Sequence, residues 1–96
     1  MKIKVELSGG LELLFNKIKT HEITFDDKKS IPLKDLIIWM KDNLLTEREN
    51  LFIVDGTVRP GILVLINEAD WELYGGIGYD VEDGDNIIFI STLHGG

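Results

Sequence analysis

Ninety-six residues, 44 % of them hydrophobic and 28 % charged, are the makings of one ordinary globular domain, and no linker-like stretch divides them. The absence of cysteine excludes disulfides, thiolate nucleophiles and thiolate-held zinc or iron–sulfur centres. The net charge of −7 is uneven: residues 1–48 carry nine bases against eight acids, whereas residues 49–96 carry Arg59 alone against nine acids. Clustered cations for nucleic-acid phosphates are therefore missing, and a basic protein partner would be steered by the acidic half. The longest apolar runs, Leu36–Met40 and Ile62–Ile66, fall far short of the roughly 20 residues of a membrane span. The opening MKIKVELSGG lacks the hydrophobic block of a secretory signal. The expectation is a cytoplasmic protein, with the nucleus also open to it, that binds neither membrane nor nucleic acid directly.

In chain order, Lys2–Leu7 alternates without a fault and predicts a strand with Ile3, Val5 and Leu7 on one face. Ser8-Gly9-Gly10 is a turn signal and not a phosphate loop, since no GxxxxGK[ST] follows. Leu11–Ile18 reads as an apolar connection tucked beneath an antiparallel second strand, His21–Phe25. Asp26–Lys29 is a polar loop. Leu33, Leu36, Ile37, Met40 and Leu44 then recur at helical spacing, with Ser30 as expected N-cap and Pro32 tolerated in the first turn. Trp39 and Met40 are read as packing side chains of that helix.

Thr46–Asn50 ends the helix. Leu51–Gly61 reads as irregular, with room for a short strand or hairpin around Asp55-Gly56. Ile62–Ile66 has the continuous apolar character of a strand buried on both faces. Asn67–Asp70 turns the chain, Trp71–Tyr74 is at most a short edge strand, and Gly75, Gly76 and Gly78 form a connection. Asp83-Gly84-Asp85 is a tight turn before a last strand, Asn86–Ser91. This last strand is as apolar as a central one must be, and placing it parallel to the first hides both. The result is an α+β β-grasp: a mixed sheet wrapped around one main helix, residues 1–90, followed by a flexible tail, residues 91–96.

No catalytic constellation is visible. His21 and His94 are far apart and in no metal-ligand spacing, so no metal site is expected. Glu82, Asp83 and Asp85 read as turn and surface acids, and Arg59 as paired with a neighbouring acid. The tail Ser91-Thr92-Leu93-His94-Gly95-Gly96 carries no charged side chain and no apolar period. With glycine at about 7 % of residues, a terminal Gly-Gly arises by chance about once in 200 chains. Glycine lets another enzyme's backbone close around it. The terminal carboxylate would react only after activation, for instance as an acyl-adenylate, and this domain has no means of doing that.

Val58-Arg59-Pro60-Gly61-Ile62, Leu65-Ile66-Asn67, Asp70-Trp71-Glu72-Leu73, Asp83-Gly84-Asp85 and the closing STLHGG resemble the ubiquitin-related modifier family of eukaryotic ubiquitin-like sulfur carriers. Gly9-Gly10 with Glu12–Phe15 extends the resemblance to the whole chain; Glu68, where an aspartate is expected, and a looser Gly75–Gly78 depart from it. The resemblance implies no enzyme and no bound cofactor. It implies instead a carrier whose Gly96 is adenylated, with ATP, by an activating enzyme that bears a rhodanese domain. The thiocarboxylate so formed would supply sulfur, through a tRNA-thiolating enzyme complex, for 2-thiolation of the wobble uridine of cytosolic tRNAs. Gly96 would also be joined by isopeptide bonds to lysines of target proteins. Gly95, His94, Leu93 and Thr92 would be recognised by the activating enzyme, and Gly96, as the last residue, would need no protease to expose it. Two readings compete: the small sulfur-carrier subunit of molybdopterin synthase, and a β-grasp interaction domain with an inert tail. A monomer is expected, because no second apolar helix face is left over.

Overall fold

A computed structural model describes residues 1–92 of the chain. Strand β1 (Lys2–Ser8) alternates between buried Ile3, Val5 and Leu7 and outward Lys2, Lys4 and Glu6, as its sequence predicts. It pairs antiparallel with β2 (Thr20–Thr24), Ile3 opposite Ile23. Between them a short 3-10 helix (Leu11–Phe15) tucks Leu11, Leu14 and Phe15 into the core, because its period of three brings Leu11 and Leu14 to one side.

The helix α1 spans Leu33–Asn43 and buries Leu33, Leu36, Ile37 and Met40 against the sheet. Trp39 meets Phe25 edge-on at 5.2 Å, so it is a packing residue. Ser30 does not cap the helix. It lies in β3 (Ser30–Pro32), which pairs with β8 (Asp80–Glu82), and the N-cap position falls on Pro32. The first helical N–H, that of Leu33, donates instead to the carbonyl of Tyr79 at 2.7 Å. A tertiary partner thus does the work of a local cap.

The segment read as irregular contains a hairpin of β4 (Ile53–Val54) and β5 (Thr57–Val58). Its two turn residues, Asp55 and Gly56, both have positive φ, as a type I′ turn requires. Just before it, Phe52 is fully buried and meets Phe15 at 5.1 Å and Phe89 at 5.8 Å, edge to face in both cases. Strand β6 (Ile62–Ile66) buries Val64 and Ile66 but leaves Leu63 exposed, so it is not covered on both faces. One helix can cover only one face of a sheet, and β6 shares its other face with solvent.

Asn67 and Glu68, both at positive φ, turn β6 into the short β7 (Ala69–Asp70). Trp71–Tyr74 then forms a 3-10 helix rather than an edge strand. The carboxylate of Asp70 accepts the Glu72 N–H at 2.9 Å and starts that helix, and Gly75 at φ +92 stops it. The last strand, β9 (Asn86–Ser91), lies in the middle of a five-stranded sheet of order β2-β1-β9-β6-β7. It runs parallel to β1 and antiparallel to β6, which is the β-grasp arrangement that the hydrophobic pattern predicts. No helix among the described residues is long and apolar enough to cross a membrane.

Candidate functional site: the root of the tail

Because β9 is central and parallel to β1, its end emerges between two chain reversals. On one flank is the turn that follows β1; on the other is the start of β6. Both reversals use glycine, and in both the reason is local. Gly9 has φ +70, and a Cβ on it would stand 2.2 Å from the Ser91 carbonyl oxygen, so only glycine lets the backbones approach this closely. Across β9, the Gly61 carbonyl, in a residue with φ +99, accepts the backbone N–H of Thr92 at 3.0 Å. The Thr92 hydroxyl donates to the same carbonyl.

Thr92 is thus the one predicted site residue within the described structure, and it is held at both its main chain and its side chain. Leu93, His94, Gly95 and Gly96, the other predicted site residues, lie outside the described residues. Sequence reasoning missed Gly9 and Gly61 as the flanks of the root. Gly-Gly and Pro-Gly signal turns, but nothing in either dipeptide says which strand end it will meet.

From this root an apolar strip runs along the solvent face of the sheet. Leu63 stands opposite Ile90 and Leu65 opposite Ile88; Leu63 is exposed and the other three are half-buried. Exposed Glu68, Asp70, Glu72, Asp80, Glu82 and Asp83 belong to the β6–β7 turn, β7, the 3-10 helix after it, β8 and the β8–β9 turn. Asp85 is not a surface acid. It is 8 % exposed and accepts from the Tyr79 hydroxyl at 2.6 Å, Asn67 Nδ2 at 2.9 Å and the Glu82 N–H at 2.9 Å. Burial opposes its ionisation, but the bonds from Tyr79, Glu82 and Asn67 outweigh burial and hold its carboxyl below the ordinary carboxylate value. Burial first, then the bond to Asp85 and the charge of that carboxylate, push the Tyr79 phenol well above its usual value. These groups tie the β6–β7 turn to the β8–β9 turn, an assembly role that leaves the carboxylate no proton to transfer.

Arg59 takes part in no ion pair among the described residues, contrary to the expected pairing with a neighbouring acid; its main chain is held by Phe52 and Ile62. His21 lies edge-on to Phe15, its Nε2 3.2 Å from the Ile18 carbonyl. Among the described residues no group of three or more histidines or acids could hold a metal ion.

A β-grasp sheet whose central strand leads directly into the tail is the architecture of the ubiquitin-like fold, which by itself assigns no activity. The family described as Urm1 (Ubiquitin related modifier) matches residues 2–96. The "Ubiquitin-related modifier 1 homolog" of Dictyostelium discoideum is 76 % identical over 96 residues, covering 100 % of both chains. "Ubiquitin-related modifier 1" of Homo sapiens is 53 % identical over 97 residues, covering 100 % of this chain and 96 % of its own. The solution structure of Urm1 from Trypanosoma brucei superimposes with a TM-score of 0.84 at 42 % identity, covering 99 % of this chain and 95 % of that one. The chain belongs to the ubiquitin-related modifier family, and it is a ubiquitin-like sulfur carrier and modifier that works with an activating enzyme.

Proposed function

We propose that the carrier delivers sulfur for 2-thiolation of the wobble uridine of cytosolic tRNAs and is also joined to lysines of target proteins, with Gly96 as the reacting residue in both. ATP converts the Gly96 carboxylate into an acyl-adenylate on the activating enzyme, with release of pyrophosphate. A persulfide sulfur on that enzyme's rhodanese domain attacks the carbonyl carbon and expels AMP. A second thiol of the partner cleaves the sulfur–sulfur bond, leaving the thiocarboxylate on Gly96 and a disulfide on the partner. A tRNA-thiolating enzyme complex then takes the sulfur, whereas attack by a lysine amine on the thiocarboxylate carbon breaks the C–S bond, releases hydrosulfide and gives an isopeptide bond. No cofactor need be bound by the carrier itself. We place this in the cytoplasm and with the chain as a monomer; the outward Lys34, Asp35 and Asp42 of α1 leave no second apolar stripe for a copy to cover.

The observation that carries the reading is the clamp of Thr92 on Gly61 and of Ser91 against Gly9. It fixes the position of Thr92, from which the last residues follow, while the chemistry stays with the partner. The strip of Leu63, Leu65, Ile88 and Ile90 adjoins that root, so the activating enzyme that takes the tail would rest on it. The deciding experiment is the intact mass after incubation with ATP, the activating enzyme and a persulfide source. Replacement of one oxygen by sulfur, lost when Gly96 is deleted, is the expected result; an unchanged mass with an enzyme competent on another carrier would overturn it.

A further inference from the structure

The chain enters β6 through Arg59-Pro60-Gly61-Ile62. The Ile62 N–H donates to the Arg59 carbonyl at 3.1 Å, and Gly61 has φ +99. Proline second, a positive-φ glycine third and a bond from the fourth residue back to the first make a type II turn. Its glycine is the residue whose carbonyl holds Thr92, so the turn that opens β6 also holds the root of the tail. Arg59 is the first residue of this turn, and its own N–H donates to the carbonyl of Phe52 at 2.8 Å. Phe52 is fully buried, so the main chain of Arg59 is tied to the core on one side and to the turn on the other.

The side chain is not tied. No hydrogen bond or ion pair among the described residues engages its guanidinium. Arg59 is half-buried, yet none of its nitrogens is both closed off from solvent and without a partner. It is also the single base among residues 49–96, against nine acids. Glu68 and Asp70 follow β6 and Asp83 precedes β9, so these carboxylates lie at the end of the two strands remote from the root. From Ile62 to Ile66 is about 14 Å at the rise of a strand. The apolar strip of Leu63, Leu65, Ile88 and Ile90 therefore has a cation at its tail end and carboxylates at its other end.

We propose that Arg59 determines specificity for the activating enzyme: its guanidinium takes a carboxylate of that enzyme at the edge of the channel that receives the tail. This rests on the reading of Gly96 as the residue activated there. A carboxylate is the partner that the chemistry selects, because the planar fork offers it two parallel N–H groups. The two ends of the strip add orientation. Turned end for end on the same apolar surface, the carrier would set Glu68 and Asp70 against the enzyme's carboxylate, and like charges repel. The approach that remains brings Thr92 to the channel side.

The test is the activation kinetics of the full chain with Arg59→Gln, Arg59→Lys and, as a control of equal charge change, Lys34→Gln, an exposed base of α1. Arg59→Gln should raise the KM for the carrier about tenfold and leave kcat within about twofold, the pattern of a binding contact kept throughout the reaction. Arg59→Lys should recover part of that loss, because it keeps the charge without the fork. With rising salt, KM should climb less steeply in Arg59→Gln than in the unsubstituted chain. Melting temperatures should match, since the side chain has no partner to lose. An unaltered KM in Arg59→Gln would overturn the proposal, as would an equal rise in Lys34→Gln, which would make net charge the cause. A fall in kcat with KM unchanged would overturn it as well. The same reactions report the replacement of oxygen by sulfur in the unsubstituted chain. Its presence with an unaltered KM rejects the role of Arg59 alone; its absence rejects the reading of Gly96 and this contact with it.

Discussion

Gly9 and Ser91 come so close that the site of a Gly9 side chain is already filled by the Ser91 carbonyl. The end of the first strand therefore fixes where the last strand leaves the sheet. Gly9→Ala is expected to cost about 2–4 kcal/mol, from left-handed strain plus overlap with backbone that has nowhere to go. Gly10→Ala shares the positive φ but meets nothing within 4 Å, so it should cost only about 1–2 kcal/mol. Urea unfolding of the two variants checks the order; equal losses would mean that conformational strain alone, and not the close approach, makes Gly9 necessary.

Thr92 reaches Gly61 with both its N–H and its hydroxyl. Thr92→Val keeps the shape and the main-chain bond and should leave activation nearly unchanged. Thr92→Pro removes both donors. It should raise the KM for the activating enzyme about fivefold, the factor that about 1 kcal/mol represents, with the melting temperature little altered. An equal effect of the two substitutions would assign the role to the hydroxyl alone.

Phe52 joins the aromatic rings of the first turn and the last strand, Phe15 and Phe89, through edge-to-face contacts. Phe52→Ala should destabilise the domain by about 3–5 kcal/mol, a large share of what so small a core provides. Phe52→Leu, which keeps most of the volume, should cost clearly less. Calorimetric or denaturant unfolding would show the ranking, and a small loss for alanine would mean that the surrounding hairpin collapses into the space.

The Tyr79–Asp85 pair gives stability a pH dependence on both sides. Asp85 ionises at lower pH in the folded chain than in the unfolded one. Its contribution is complete above the ordinary value of about 3.9 and is lost as pH falls through the folded value. Tyr79 is shifted upward, so its contribution is complete below about 10 and is lost as pH rises beyond that. Asp85→Asn should cost about 1.5–3 kcal/mol at neutral pH and flatten the acid limb, while Tyr79→Phe should flatten the alkaline limb. Denaturant unfolding from pH 2 to 11 measures both; an unchanged acid limb in Asp85→Asn would place that dependence on other carboxylates.

Much of the fold was legible from periodicity. The strict alternation of Lys2–Leu7 and the helical recurrence from Leu33 to Met40 each identify a face, and a face identifies a burial partner. The apolar character of Asn86–Ser91 was enough to put it at the centre of the sheet beside β1. The three-residue strands β3 and β8 escaped because alternation needs more length to be seen, and Ser30 was misread because its hydroxyl suits a cap that Tyr79 supplies from across the fold. Leu63 looked buried because an apolar run does not say how many layers cover it.

For the site, the sequence by itself determined the chemistry available: an uncharged tail ending in Gly-Gly, no cysteine, an acidic second half and the motifs of the family. Residue type sets what an end can react with, and that information is local. Only the tertiary structure decided that Gly9 and Gly61 flank the tail, that Asp85 is a buried tie between two turns, and that Leu13 and Lys17 share a groove with Ser91. Those relations join residues between 4 and 82 positions apart. They exist because parallel pairing of the first and last strands brings the end of β1 beside the end of β9, and no pattern confined to neighbours in sequence contains that closure.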